Sequence, residues 1–142
     1  MPKSAQAFTN PCYCINARRA AGALTAYYDR ALAETGLSIG QFALLWILDA
    51  MGESNVTRLA EALGLERTTV VRNLKPLSTA EYISDIPGSN ARDRKLTVTA
   101  KGRAALDTAI PLWKAAQKGI QGAIGQEHIQ LFKELMSRLQ QV

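Results

Sequence analysis

Two helical stretches, a short helix with a tight glycine turn into another helix, a basic hairpin and two more helices follow one another along this chain. That order predicts a mostly α, winged-helix (α+β) fold with helical arms at both ends. Three observations carry the expectation. Hydrophobic residues make up 47% and charged residues 20%, a composition that folds and argues against disorder. Apolar side chains recur at helical spacing through most of the sequence, and only residues 82–99 switch to strand-like runs around a turn. A length of 142 residues fits one domain, 1–142.

From Cys14 to Glu34 the chain is rich in Ala, Leu and Arg and contains no proline, which favours a long helix stopped by Gly36. Ser38 is placed to cap a second helix through Met51, in which Phe42, Leu45, Trp46 and Leu48 are crowded enough to mean burial. After a break at 52–56, Thr57 is the expected cap of a short helix that turns Leu59, Ala60 and Leu63 inward and ends at Gly64. The next helix starts near Glu66 and runs toward Thr79, with a bend or an early end expected at Pro76. Two short strands, Tyr82–Ile86 and Lys95–Thr99, flank the turn residues Pro87–Ala91. Thr99 then caps a helix carrying Leu106, Ile110, Trp113 and Ile120, which Pro111 is expected to kink. Gly122 and Gly125 separate a last helix with Ile129, Phe132, Leu135 and Leu139.

The charge is uneven. Seventeen Lys+Arg against twelve Asp+Glu give +5 and a pI near 9.5. Residues 56–103 hold nine of those bases and five of the acids, net +4, which leaves net +1 for the other 94 residues. A basic middle third suits phosphates. Two cysteines and one histidine make no zinc set, so neither a metal nor a cofactor is expected. The longest apolar run is the seven residues Phe42–Leu48, far below a membrane span. With Met1-Pro2-Lys3-Ser4 at the start and no apolar signal core, a cytoplasmic location is expected.

On the helix after Gly64, Val70, Leu74 and Leu77 share one face, and Thr68, Arg72, Lys75 and Thr79 fall on the opposite one. Arginine can fork onto guanine, threonine can meet a base edge or a thymine methyl, and lysine neutralises phosphate. Arg67, Thr68, Thr69, Arg72 and Lys75 are therefore the expected contacts to double-stranded DNA in the major groove. Arg92, Arg94 and Lys95 at the hairpin are the expected contacts to its minor groove. The chain has no Gly-rich phosphate loop and no nucleophile motif, so it is not expected to be an enzyme. The apolar faces of the terminal helices need a cover, and a symmetric second copy is the commonest one. Folding back on their own core is the alternative.

Several stretches taken in order resemble the MarR family of winged-helix transcription regulators. Tyr27-Tyr28-Asp29-Arg30 and Gly36–Phe42 are similar to the family's first helix and its junction with the second. Leu59–Leu65 with Arg67–Leu74 resemble its helix-turn-helix, and Leu96–Gly102 its junction from wing to helix. The resemblance implies a homodimer on a pseudopalindromic operator, with dimerisation helices at 1–36 and 100–142 and a DNA-binding region at 37–99. Where members carry Asp-x-Arg at the wing tip, this chain has Asn90-Ala91-Arg92, so the charge that orients the arginine is missing.

The resemblance also implies a repressor released by a small, aromatic or acidic effector held between arms and winged helix, with Arg18, Arg19, Tyr27, Tyr28 and Trp46 as candidates. An alternative is a redox-sensing repressor. Cys14 falls roughly where the peroxide-sensing branch keeps its reactive cysteine, and Arg18 one turn later could stabilise a thiolate. Cys12 is too near for easy bridging within the chain, so a disulfide is expected to cross to another subunit. A reading from another class is a helical protein-interaction adaptor without DNA binding.

Overall fold

The computed structural model describes residues 11–90 and 93–142. Its elements are α1 (Tyr13–Ala31), a 3-10 turn (Ala33–Thr35), α2 (Ile39–Met51), β1 (Glu53–Ser54), α3 (Val56–Leu63) and α4 (Arg67–Thr79). They continue with β2 (Ile83–Asp85), β3 (Leu96–Val98), α5 (Ala100–Ile124), a second 3-10 turn (Gln126–His128) and α6 (Ile129–Leu139). This is a winged helix between helical arms.

Helix ends follow from local donors and acceptors. Ser38 Oγ accepts the Gln41 N–H at 3.2 Å, and Gln41 Oε1 accepts the Ser38 N–H at 3.1 Å, a reciprocal cap at the start of α2. Asp29 Oδ1 on α1 accepts the Ile39 N–H at 2.7 Å, so the arm is pinned to the same helix start. At α3 the cap is Asn55, not Thr57: Asn55 Oδ1 accepts the Arg58 N–H at 2.9 Å and the helix begins two residues earlier than expected. Both residue types cap well, but Asn55 alone has the extended backbone that a cap needs. Gly64 adopts φ 64°, which turns the chain tightly into α4.

Neither proline breaks its helix. α4 continues through Pro76 to Thr79, and α5 through Pro111 and Gly122 to Ile124. Pro76 and Pro111 are both exposed, where water can take the carbonyl that each leaves without a donor. The break between α5 and the last helical stretch falls at Gly125, with φ 92°.

The sheet is antiparallel in the order β1-β3-β2, with Ser54 opposite Leu96 and Ile83 opposite Val98. β1 was not expected, since two residues carry no periodicity. Helices and sheet close over one core in which Leu44, Leu45, Leu48, Leu59, Val70 and Leu96 are wholly buried. Each such leucine contributes about 1.5–3 kcal/mol relative to an exposed one. Gly102 lets α5 start against the hairpin, because a Cβ there would collide with the Tyr82 carbonyl.

The arms differ. Neither α1 nor α6 buries a single residue, and Ile15, Leu131, Leu135, Met136 and Leu139 are exposed. α1 crosses α5 where the Tyr27 hydroxyl donates to the Ala116 carbonyl at 3.3 Å and the Tyr28 hydroxyl donates to Gln117 Oε1. A Cβ at Gly119 would strike that Tyr27 hydroxyl, so the crossing depends on a bare backbone.

Candidate nucleic-acid interface

α4 has the two faces its sequence implies. Val70, Leu74 and Leu77 are buried against the core, while Arg67, Thr68, Arg72 and Lys75 are exposed and Thr69 is half-buried. Arg67 Nη1 donates to Thr57 Oγ1, which ties the first turn of α4 back to α3. The Thr79 hydroxyl donates to the Lys75 carbonyl at 3.1 Å and is thus held within its own helix. Val71 is 54% exposed on the flank between stripe and hairpin. Nothing was expected of it, although an open β-branched residue on such a helix is a signal the sequence does contain.

The wing is extended beyond its strands by the Ile86 N–H donating to the Lys95 carbonyl at 2.9 Å. Asn90 Oδ1 accepts the Asp93 N–H at 2.8 Å, so its side chain shapes the turn. Arg92 lies outside the described residues. Lys95 is exposed. Arg94 is engaged elsewhere: its Nε lies 2.5 Å from Asp85 Oδ1 on β2, and its Nη2 lies 3.5 Å from Ser78 Oγ on α4. Between the start of α3, α4 and the wing is an open hollow of 280 Å³, lined by Asn55, Thr57, Arg67, Val71, Asp93 and Arg94. Arg67 and Arg94 thus meet one hollow, while Arg72 and Lys75 stand on the open stripe.

Among the described residues, the aromatic effector candidates Tyr27, Tyr28 and Trp46 line three different hollows. Arg18 and Arg19 are exposed early in α1. Tyr27 and Tyr28 meet edge-on at 5.6 Å, but Tyr27 lines a hollow with Arg30 and Leu112, and Tyr28 another with Ile120 and Phe132. Burial first, and the neighbouring Tyr27 second, raise the pKa of Tyr28 above the usual phenol value. Trp46 packs edge-on against Phe42 at 5.2 Å and Trp113 at 4.9 Å, beside an apolar hollow of 330 Å³ also lined by Ile39 and Leu63. Cys12 and Cys14 are exposed at the start of α1, where Cys12 is the cap residue. Among the described residues no cluster of His, Cys, Asp or Glu could hold a metal, and no helix is long and apolar enough to cross a membrane.

A model of the MarR family matches residues 37–92, the span from the start of α2 into the wing. The crystal structure of the M. tuberculosis transcriptional regulator MosR in complex with DNA is 36% identical over 92% of this chain and 94% of that one, with a TM-score of 0.80. The chain belongs to the MarR family. A second MosR structure is 32% identical, covering 93% of this chain and 95% of that one, at TM-score 0.79. The transcriptional repressor CouR bound to a 23-mer DNA duplex, at 24% identity, shares the fold at TM-score 0.79 over 90% of this chain and 92% of that one. No curated protein matches. As a MarR-family protein the chain is a DNA-binding transcription regulator and not an enzyme, which sets aside the adaptor reading.

Proposed function

We propose that this MarR-family regulator is a homodimeric repressor that seats one α4 in the major groove of each half of a pseudopalindromic operator. The observation that carries the reading is the exposed stripe Thr68, Arg72 and Lys75, opposite the buried Val70, Leu74 and Leu77 and beside a basic wing. Arg67, Thr68, Thr69 and Arg72 read or frame base edges, Lys75 and Lys95 meet phosphate, and Arg92 enters the minor groove. Residues 37–99 form the DNA-binding region, and 1–36 with 100–142 form the dimer. The uncovered apolar side chains of α1 and α6 support that division, since a second copy would bury them. The site of action is the cytoplasm, with its DNA.

The effector is a small aromatic or acidic molecule. CouR has a structure bound to p-coumaroyl-CoA and NadR one in complex with 4-hydroxyphenylacetate, and both share this fold. The apolar hollow beside Trp46 and Trp113 suits an aromatic ring; Tyr27, Tyr28, Arg18 and Arg19 lie outside it and would contribute only if the arms of a dimer bring them to it. The exposure of Cys12 and Cys14 at a helix start favours a second reading, release by oxidation of Cys14. Organic hydroperoxide then frees DNA from the wild type but not from Cys14→Ser; retention by both ends that reading.

Footprinting on the region upstream of the chain's own gene is the first test of DNA recognition. A dimer with about 6–10 phosphate contacts loses on the order of 10³–10⁵ in affinity between about 50 and 200 mM salt. Arg72→Ala weakens the footprinted site by about 1–3 kcal/mol and relaxes its sequence preference. Equal losses on footprinted and random duplexes would reduce Arg72 to a phosphate contact.

A further inference from the structure

Arg94 is the one base of the wing, among the described residues, whose guanidinium is held by other side chains of the protein, at the surface. Its Nε meets Asp85 Oδ1 at 2.5 Å across the hairpin, and its Nη2 reaches Ser78 Oγ on α4, the longer contact at 3.5 Å. The guanidinium therefore touches both β2 and the DNA-facing helix while itself belonging to the wing. Its rigid planar fork is what allows one side chain to hold two partners at a fixed angle. Asp85 also offsets part of its charge, which weakens its pull on a phosphate.

We propose that Arg94 is a positioning residue: with Asp85 and Ser78 it fixes the angle between wing and α4, so that both reach one face of the duplex without being ordered on binding. The proposal rests on the DNA-binding reading of α4 and the wing, and it replaces direct groove contact by Arg94. Preorganisation of this kind strengthens binding by sparing the ordering of mobile groups. Asp85, an acid beside a polyanion, is thereby explained, because electrostatics alone would disfavour it there.

The test uses the full-length chain, a labelled duplex carrying the footprint from its own upstream region, and the variants Asp85→Asn, Arg94→Lys and Arg94→Ala. Positioning predicts that each weakens binding about three- to tenfold with the salt slope unchanged. It also predicts that Asp85→Asn combined with Arg94→Ala is no worse than either alone. A phosphate contact predicts the reverse: Arg94→Lys binds like wild type, Arg94→Ala lowers the salt slope by about 1, and Asp85→Asn tightens binding. That pattern overturns the proposal. Amide exchange on the free protein gives a readout independent of DNA: Asp85→Asn speeds exchange at Ile86 and through β3 while the α2 core stays protected. Unchanged exchange in the wing overturns the proposal even if duplex binding is intact. Absence of duplex binding by the wild type counts against the reading of the interface instead.

Discussion

The centre of the molecule and its outermost helices put their leucines to opposite use. In α2, Leu44, Leu45 and Leu48 are wholly buried, whereas α6 leaves Leu131, Leu135 and Leu139 in the open and α1 buries nothing. The winged helix closes its core with Leu32 and Leu106 from the flanking stretches, while α1 and α6 leave apolar side chains uncovered.

The contrast can be broken from either side. Leu48→Ala should destabilise the fold by about 2–5 kcal/mol in urea titration, at any protein concentration, because the cavity lies within one chain. A midpoint that depends strongly on concentration would instead make the core itself part of the association. Leu135→Asp with Leu139→Asp should weaken dimerisation by about 2 kcal/mol or more in sedimentation experiments and leave the helical circular-dichroism signal intact. An unchanged mass would show that α6 is covered in some other way.

Smaller effects sharpen the same comparison. Ser54 is buried at the sheet, and its hydroxyl has no partner among the described residues. Ser54→Ala should therefore stabilise the central region by about 1 kcal/mol in thermal unfolding; destabilisation would mean that the hydroxyl is satisfied. At the arm, the raised Tyr28 pKa means the folded state favours the neutral phenol. That contribution is fully present below the unfolded value of 10.0 and is lost as pH rises through the higher folded one. Tyr28→Phe should flatten the loss of stability in this alkaline range, and an unaltered profile would assign the loss to other groups.

Much of the fold was legible because its signals are local. Ser38, Gly36, Gly64 and Thr99 each act on neighbours within a few residues, and the helical spacing of Val70, Leu74 and Leu77 needs only a helix to have meaning. What escaped depends on distant partners. β1 exists only because β3 pairs with it, and Arg94 is held only because the hairpin register brings Asp85 beside it. A bend or an early end was expected at Pro76, yet α4 runs on to Thr79, because on an exposed helix face the loss of one backbone bond was outweighed by packing of the opposite face. The exposed stripe on α4 was readable from periodicity, whereas the gathering of effector candidates needs a geometry that spacing along one chain does not contain.

Gly119 gives the crossing of α1 and α5 a wider meaning. The Tyr27 hydroxyl rests where a single methyl would otherwise stand, so any side chain at position 119 would push α1 and α5 apart at their crossing. The closeness of these two helices is set by an atom that is missing, far from the stripe on α4.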